Sequence, residues 1–213
     1  MRELGKQIAR WLATLVVIPT YVSYRLRSLV LGRDRALAGS SQLLSLLPGL
    51  VGCYLRAAFF HLALDDCHPT VRIEFGTLLS KAGTRFGKHA YIGPHCHLGL
   101  VDIGDDVLVA AGTHIPSGAH IHGTDQLDIP IREQPGEIRR VAIGDGAWLG
   151  AGSVVMADVG AASIVGAGSV VTQPIPAHTV AAGVPATIIR SRVPENISPE
   201  AITTAADSPE ERD

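Results

Sequence analysis

The sequence predicts a mainly β protein, a solenoid of short parallel strands preceded by an apolar helical segment. Three observations carry that expectation. The hexamer LGAGSV at residues 149–154 returns as VGAGSV at residues 165–170, sixteen residues later. Aliphatic side chains recur every six residues through most of the second half, many of them followed by glycine. With 23 glycines and only 5% aromatic residues in 213, the core must be filled by aliphatic and small side chains while the backbone makes many tight turns.

The first element, residues 1–64, is basic and apolar: eight Lys and Arg (Arg2, Lys6, Arg10, Arg25, Arg27, Arg33, Arg35, Arg56) stand against Glu3 and Asp34. The whole chain carries a net charge of −2, so the remainder is acidic. Residues 11–24 and 36–55 are uncharged runs bounded by arginines. The first is short for a bilayer span and broken by Pro19, and the second carries Gly39, Ser40, Ser41, Gln42, Ser45, Pro48 and Gly49, a composition poorly suited to spanning lipid. Amphipathic or re-entrant helices at a membrane surface fit best, with arginines toward anionic headgroups. Two other readings stay open, a single true span and a pair of core helices packed on the next element. A cleaved signal peptide fits poorly, because no small-residue cleavage motif follows the apolar run. Cys53, Cys67 and Cys96 are an odd number without CxxC spacing, which speaks against a disulfide framework or a zinc site and for a reducing compartment.

The repeat occupies residues 65–192. Steps of six from Phe86 reach Ile92 and Leu98; after one shortened step the series resumes as Ile103, Val109 and Ile115, then returns as Ile143, Leu149, Val155, Val165 and Val171. Two residues before each sits a small or branched side chain: Thr84, Ala90, Cys96, Val101, Val107, Thr113, Val141, Ala147, Ser153, Ser163 and Ser169. Neither a helical stripe nor a long alternating strand has this period. Three short strands per turn, each placing one aliphatic and one small residue inward, close a triangular coil of eighteen residues, and a corner tightened by two residues around positions 157–161 makes it sixteen. Stacked coils expose edges only at their ends, and residues 48–64 are the candidate cap for one of them.

Between residues 119 and 140 the repeat lapses into AHIHGTDQLDIPIREQPGEIRR, an extruded loop that adds nothing to coil packing and is therefore the place to look for function. The final segment, residues 193–213, has three prolines, six acids against Arg212 and no aromatic residue, the composition of a disordered, solvating tail. No phosphate loop or nucleic-acid motif is present, so a nucleic-acid partner is not expected.

The tandem [LIV]-G-x-x-[STAVC]-x pattern, His122 followed by Pro130, the return to the coil as IGDGAWLG at residues 143–150 and the closing AAGVPATIIR at residues 181–190 resemble the hexapeptide-repeat acyltransferases. The likeness covers roughly residues 86–192 and points to the galactoside, maltose and colanic acid O-acetyltransferases. It implies a left-handed parallel β-helix, a hand that general crossover rules would not supply. It also implies a homotrimer, acetyl-CoA as acyl donor with no metal, and a saccharide acceptor. His122 is then the general base that takes a proton from the acceptor hydroxyl, a service typically worth a factor of about 10² to 10⁴. His120 is the rival base, and Asp125 the candidate orienter of the imidazole. By position, Trp148, Ala151, Gly166, Ala167, Thr172, Gly183 and Arg190 would border the coenzyme. Gln173 and Thr187 stand where related sequences carry cations, so Arg139, Arg140 or Arg192 would have to substitute at the phosphates. The outward histidines His95, His97 and His114, together with His120 and His122, keep a zinc enzyme of the γ-carbonic anhydrase type as an alternative. An amino-sugar N-acetyltransferase and a non-catalytic scaffold are the others. With the basic apolar segment included, the expectation is an O-acetyltransferase of polysaccharide or envelope assembly at the cytoplasmic face of the cell membrane.

Overall fold

A computed structural model describes residues 2–194. The expected acidic tail therefore lies outside the described residues, Val193 and Pro194 excepted. Three helices come first: α1 (Arg2–Leu31), α2 (Arg33–Ser45) and α3 (Gly49–Ala63). Behind them winds a parallel β-solenoid of about six turns.

Each turn has three faces. The first stacks β1 (Asp66–Cys67), β4 (Arg85–Phe86), β7 (Val101–Ile103) and β10 (Val141–Ile143), and it continues as single bridges at Val159 and Ile175. The second stacks β2 (Arg72–Ile73), β5 (Tyr91–Ile92), β8 (Leu108–Val109), β11 (Trp148–Leu149), β13 (Ile164–Val165) and β15 (Thr179–Gly183), and ends in the antiparallel β16 (Ala186–Ser191). The third stacks β3 (Leu78–Leu79), β6 (His97–Leu98), β9 (His114–Ile115), β12 (Val154–Val155) and β14 (Val170–Val171).

Strands of two or three residues turn one side chain in and one out, and the six-residue register predicts which. All eleven aliphatic or aromatic positions named from the sequence, and their eleven small companions, are at most 3% exposed. The repeated hexamers lie one above the other, with Trp148 and Leu149 paired to Ile164 and Val165, and Val154 and Val155 to Val170 and Val171. The missing two residues are at the predicted corner. Val155 on the third face is followed by Val159 on the first after four residues rather than six, and Val171 is followed by Ile175 in the same way.

The first turn was not visible in the repeat pattern. Cys67, Ile73 and Leu79 fill its three inward positions, yet none is followed by glycine, and the step from Leu79 to Phe86 is seven residues.

An open solenoid end would leave a row of backbone groups unpaired. Here the helices pair them. Ser41 Oγ accepts from Leu79 N–H at 2.8 Å, Asp34 Oδ1 accepts from Ala82 N–H at 3.0 Å and the Ser45 carbonyl accepts from Gly76 N–H at 3.0 Å. Arg56, wholly buried, donates to the carbonyls of Ile73 (2.8 Å), Leu44 (3.0 Å) and Leu47 (2.7 Å), riveting the α2–α3 elbow to the first turn. That elbow closes so tightly that a Cβ on Gly52 would lie 2.0 Å from the Leu47 carbonyl oxygen.

The helices differ from expectation in one respect. Pro19 does not break the apolar run: α1 continues through it. Proline removes the hydrogen bond to the carbonyl four residues earlier, and both Leu15 and Pro19 lie on the exposed side, so no buried group is orphaned. No helix among the described residues is long and apolar enough to cross a membrane.

Candidate active site

The extruded loop leaves the coil after β9 and rejoins it at β10, and the ladder closes over it: Val101, Asp102 and Ile103 pair directly with Val141, Ala142 and Ile143. The loop is closed upon itself. Glu137 N–H donates to the His120 carbonyl at 2.7 Å, and Arg139 N–H to that of Ser117 at 2.8 Å. Where its limbs cross, a Cβ on Gly136 would lie 2.2 Å from the Ile121 carbonyl oxygen and 2.6 Å from the His122 nitrogen. Gln134, buried within an otherwise exposed segment, ties the outer turn: its Oε1 accepts from Gln126 N–H at 3.1 Å, and its Nε2 donates to the carbonyls of Gln126 (2.6 Å) and Ile129 (3.2 Å). Sequence reasoning passed over Gln134 and Gly136, because a lone glutamine or glycine in a polar loop carries no pattern.

The two candidate bases are placed differently. His120 lines a cleft of about 200 Å³ with Glu137, Arg139, Met156, Thr172 and Gln173, between the loop and the corner after β14. His122 is exposed on the same loop, its backbone against Gly136. Asp125 is exposed too, and no hydrogen bond joins it to His122 among the described residues. Arg139 and Arg140, candidates for replacing the missing cations, are committed elsewhere. Arg139 pairs with Asp158, and Arg140 pairs with Asp102 and donates to the Gly83 carbonyl. Arg192 donates to the carbonyl of Ala162. These contacts tie the C-terminal return of the loop and the end of the chain's last strand to the coil.

The positions carried over for the coenzyme flank the last strands of the third face. Trp148, half exposed, stands on the second face. Ala151, Gly166, Ala167 and Gly183 follow on the adjoining edge, where a Cβ on Gly152 or Gly168 would meet nothing within 4 Å. Thr172 lies across β14, in the cleft with His120. Arg190 sits on β16, exposed, its Nη1 donating to the Ser191 carbonyl at 3.2 Å. Within one chain these residues border two edges of one face rather than enclose a single pocket.

The outward histidines do not form one cluster. His97 and His114 stack on the third face with ring centroids 4.8 Å apart, beside Ile121 and Ile138 in a cleft of about 270 Å³. Burial, and then the neighbouring His114, hold the His97 imidazole below its ordinary pKa. His95 turns away to pack edge-on against Phe75 at 5.5 Å. Among the described residues no three His, Cys, Asp or Glu side chains are grouped to hold a metal ion. Burial raises the pKa of all three thiols, and at Cys53 the adjoining Glu74 adds to the effect.

Residues 140–173 match the hexapeptide repeat of succinyl-transferase. The chain is similar in structure to a maltose O-acetyltransferase from Clostridium difficile 630, with a TM-score of 0.65 at 22% identity over 76% of this chain and 88% of that one. It is similar to a hexapeptide-repeat-containing acetyltransferase from Vibrio cholerae, with a TM-score of 0.62 at 26% identity over 76% of this chain and 93% of that one; that enzyme has also been solved with acetyl coenzyme A. It is likewise similar to a galactoside acetyltransferase solved with coenzyme A, with a TM-score of 0.61 at 22% identity over 75% of this chain and 81% of that one. The three-faced coils, the matched repeat at residues 140–173 and this shared architecture give the chain the fold of the hexapeptide-repeat acetyltransferases.

Proposed function

We propose that the protein is an acyltransferase that moves an acetyl group from acetyl-CoA to a hydroxyl of a saccharide or lipid-linked saccharide, as a homotrimer at the cytoplasmic face of the cell membrane, in polysaccharide or envelope assembly. The observation that carries this reading is the single break in the winding. β7 and β10 pair as successive rungs, and the segment extruded between β9 and β10 is a self-tied loop that carries two imidazoles. A solenoid has no packing reason to keep such an insertion.

The residues present suit the donor. Alanines and glycines line the edge through Ala151, Ala167 and Gly168, which leaves backbone groups accessible to a long, flexible pantetheine, and Arg190 has no carboxylate partner among the described residues. Acetyl-CoA supplies a thioester already activated for attack. The chain's own work is then positioning and proton transfer. His122 accepts the hydroxyl proton as the acceptor oxygen attacks, and backbone N–H groups of the coil edge steady the charge that develops on the carbonyl oxygen. His120 faces the cleft of its own chain, while His122 projects outward from the loop, toward whatever a neighbouring protomer brings to this edge. No residue of the protein forms a covalent intermediate in this scheme.

The basic, apolar helical layer supports placement at a membrane, and with it a lipid-linked acceptor. Separate His122→Ala and His120→Ala variants test the assignment by turnover of acetyl-CoA with candidate glycan acceptors. Loss of His122 should cost about two to four orders of magnitude in kcat with the oligomer unchanged. Full activity in His122→Ala together with loss in His120→Ala would reassign the base, and full activity in both would overturn the reading.

A further inference from the structure

A groove away from the loop lies beside the first turn. It has a volume of about 620 Å³ and sits between the N-terminal half of α1, the start of α3 and the turn that leads into β2. Its walls are of two kinds. Leu50, Tyr54, Ala57 and Val71 form an apolar side, and Lys6, Arg10 and Arg72 bring cations to the other, with Glu3 the one acid among the lining residues. Lys6 is held by Glu3 at 2.6 Å, whereas Arg72 meets Glu74 at 2.6 Å through its Nε alone, with no carboxylate on its two Nη groups among the described residues. Arg10 has no carboxylate partner among the described residues, and its charge is left for a ligand.

The mouth of this groove opens beside an apolar surface of unusual extent. α1 is apolar on two opposite sides. Ala13, Val17 and Tyr24 face inward and are buried, whereas Leu4, Ile8, Trp11, Leu12, Leu15, Val16, Ile18, Val22, Leu26, Leu29 and Val30 are each at least 43% exposed along the outer side. A helix of 30 residues is about 45 Å long, so this stripe far exceeds the scattered apolar residues of an ordinary surface. Leu50, which lines the groove, and its neighbour Val51 are 65% and 71% exposed. Basic side chains flank the stripe toward both ends, Lys6 and Arg10 at one and Arg25 and Arg27 at the other. A long in-plane apolar face with cations at its margins is complementary to a bilayer surface that carries anionic headgroups.

We propose that the groove binds the phosphate-bearing headgroup of a membrane lipid, with Arg10 and Arg72 against the phosphate and the lipid's chains leaving along the outer face of α1. This rests on the membrane placement argued above and deepens it, since it names a headgroup site as well as an attachment surface. A free phosphate would satisfy the cations but leave the apolar wall and the α1 stripe without an occupant, so the ligand is a lipid.

The test is flotation of the full chain with vesicles of phosphatidylcholine alone and of phosphatidylcholine containing phosphatidic acid. The wild type should float with both, and more tightly with phosphatidate. Combining Arg10→Gln with Arg72→Gln should abolish the phosphatidate-dependent gain, about tenfold or more at roughly 1 kcal/mol per basic residue, and retain binding to neutral vesicles, which also reports that the variant is folded. Arg35→Gln with Arg85→Gln removes the same charge outside the groove and the stripe and should keep most of the gain. Equal losses in the two double variants would reduce the effect to general electrostatics and overturn the headgroup site alone. Trp11→Glu with Leu15→Glu should release the protein from every vesicle. Failure of the wild type to float with any vesicle, or a change of oligomeric state in Trp11→Glu/Leu15→Glu, would instead overturn the membrane placement and assign the stripe to contacts between copies. Displacement of phosphatidate binding by millimolar inorganic phosphate would show that the groove recognises the anion without the lipid.

Discussion

Replacement of Arg56 by methionine probes how the helical layer is joined to the solenoid. The guanidinium is wholly buried, donates to three carbonyls at 2.7 to 3.0 Å and has no carboxylate partner among the described residues. Methionine matches much of the stem but donates nothing, so the carbonyls of Leu47 and Ile73 lose their partner and that of Leu44 keeps only its backbone donor, Leu47 N–H at 3.2 Å. Each buried, unpaired acceptor costs about 1–3 kcal/mol, and relief from burying a cation offsets part of the sum. The net loss should be about 3–5 kcal/mol, which at about 2–4 °C per kcal/mol lowers the thermal midpoint by about 6–20 °C. Because a solenoid can open turn by turn, the loss should be local. Hydrogen exchange would quicken in α2, α3 and the first turn and stay unchanged in β12 and β14. Arg56→Lys, with a single ammonium able to reach only some of the carbonyls, should fall between. An unchanged midpoint together with unchanged exchange in the α2–α3 elbow would refute the argument.

Gln134→Ala should lower kcat by about tenfold or more with the midpoint of the coil held within about 1 °C, because the tie it removes orders only the loop; steady-state kinetics beside calorimetry separates the two. Ser153 Oγ is buried without a hydrogen-bond partner among the described residues, so Ser153→Ala should be neutral or stabilising. Ser163 Oγ donates to the Pro176 carbonyl at 2.7 Å and accepts from Thr179 N–H at 3.1 Å, so Ser163→Ala should cost about 1–3 kcal/mol in denaturant titration. His97 and His68 both have imidazoles whose pKa is lowered, chiefly by burial and then by His114 and Lys88 respectively. The unfolded chain therefore binds protons more readily than the folded one. Stability should be full above the ordinary histidine pKa near 6.5 and should decline as the pH falls through it toward 5. His97→Gln should flatten that decline in midpoint against pH.

Much of the solenoid was legible because a six-residue period leaves few other folds open, and the inward positions from Phe86 to Val171 are read directly from it. The first turn escaped because its inward residues, Cys67, Ile73 and Leu79, lack the following glycine and meet the next turn out of step. The helices were harder for a different physical reason. Hydropathy ranks α1 as apolar but cannot divide a two-sided helix into the stripe that meets α3 and the stripe left outside, and Pro19 suggested a break that its exposed position spares. At the site, spacing alone located the loop and its histidines. The knot that shapes it depends on where Gln134 and Gly136 fold back onto residues 120–129, and contacts of that kind leave no trace in local pattern. Arg139 and Arg140, candidates for the phosphates, pair with Asp158 and Asp102, because charge in a sequence does not reveal the carboxylate waiting across the coil.

The direct seam between β7 and β10 has a practical corollary. Neither β9, where the excursion departs, nor β10, where it returns, takes a ladder hydrogen bond from the interior of residues 119–138, so that stretch behaves as a detachable cassette: grafting one of different length and chemistry between those two strands should retarget the catalyst while the scaffold beneath goes on stacking undisturbed.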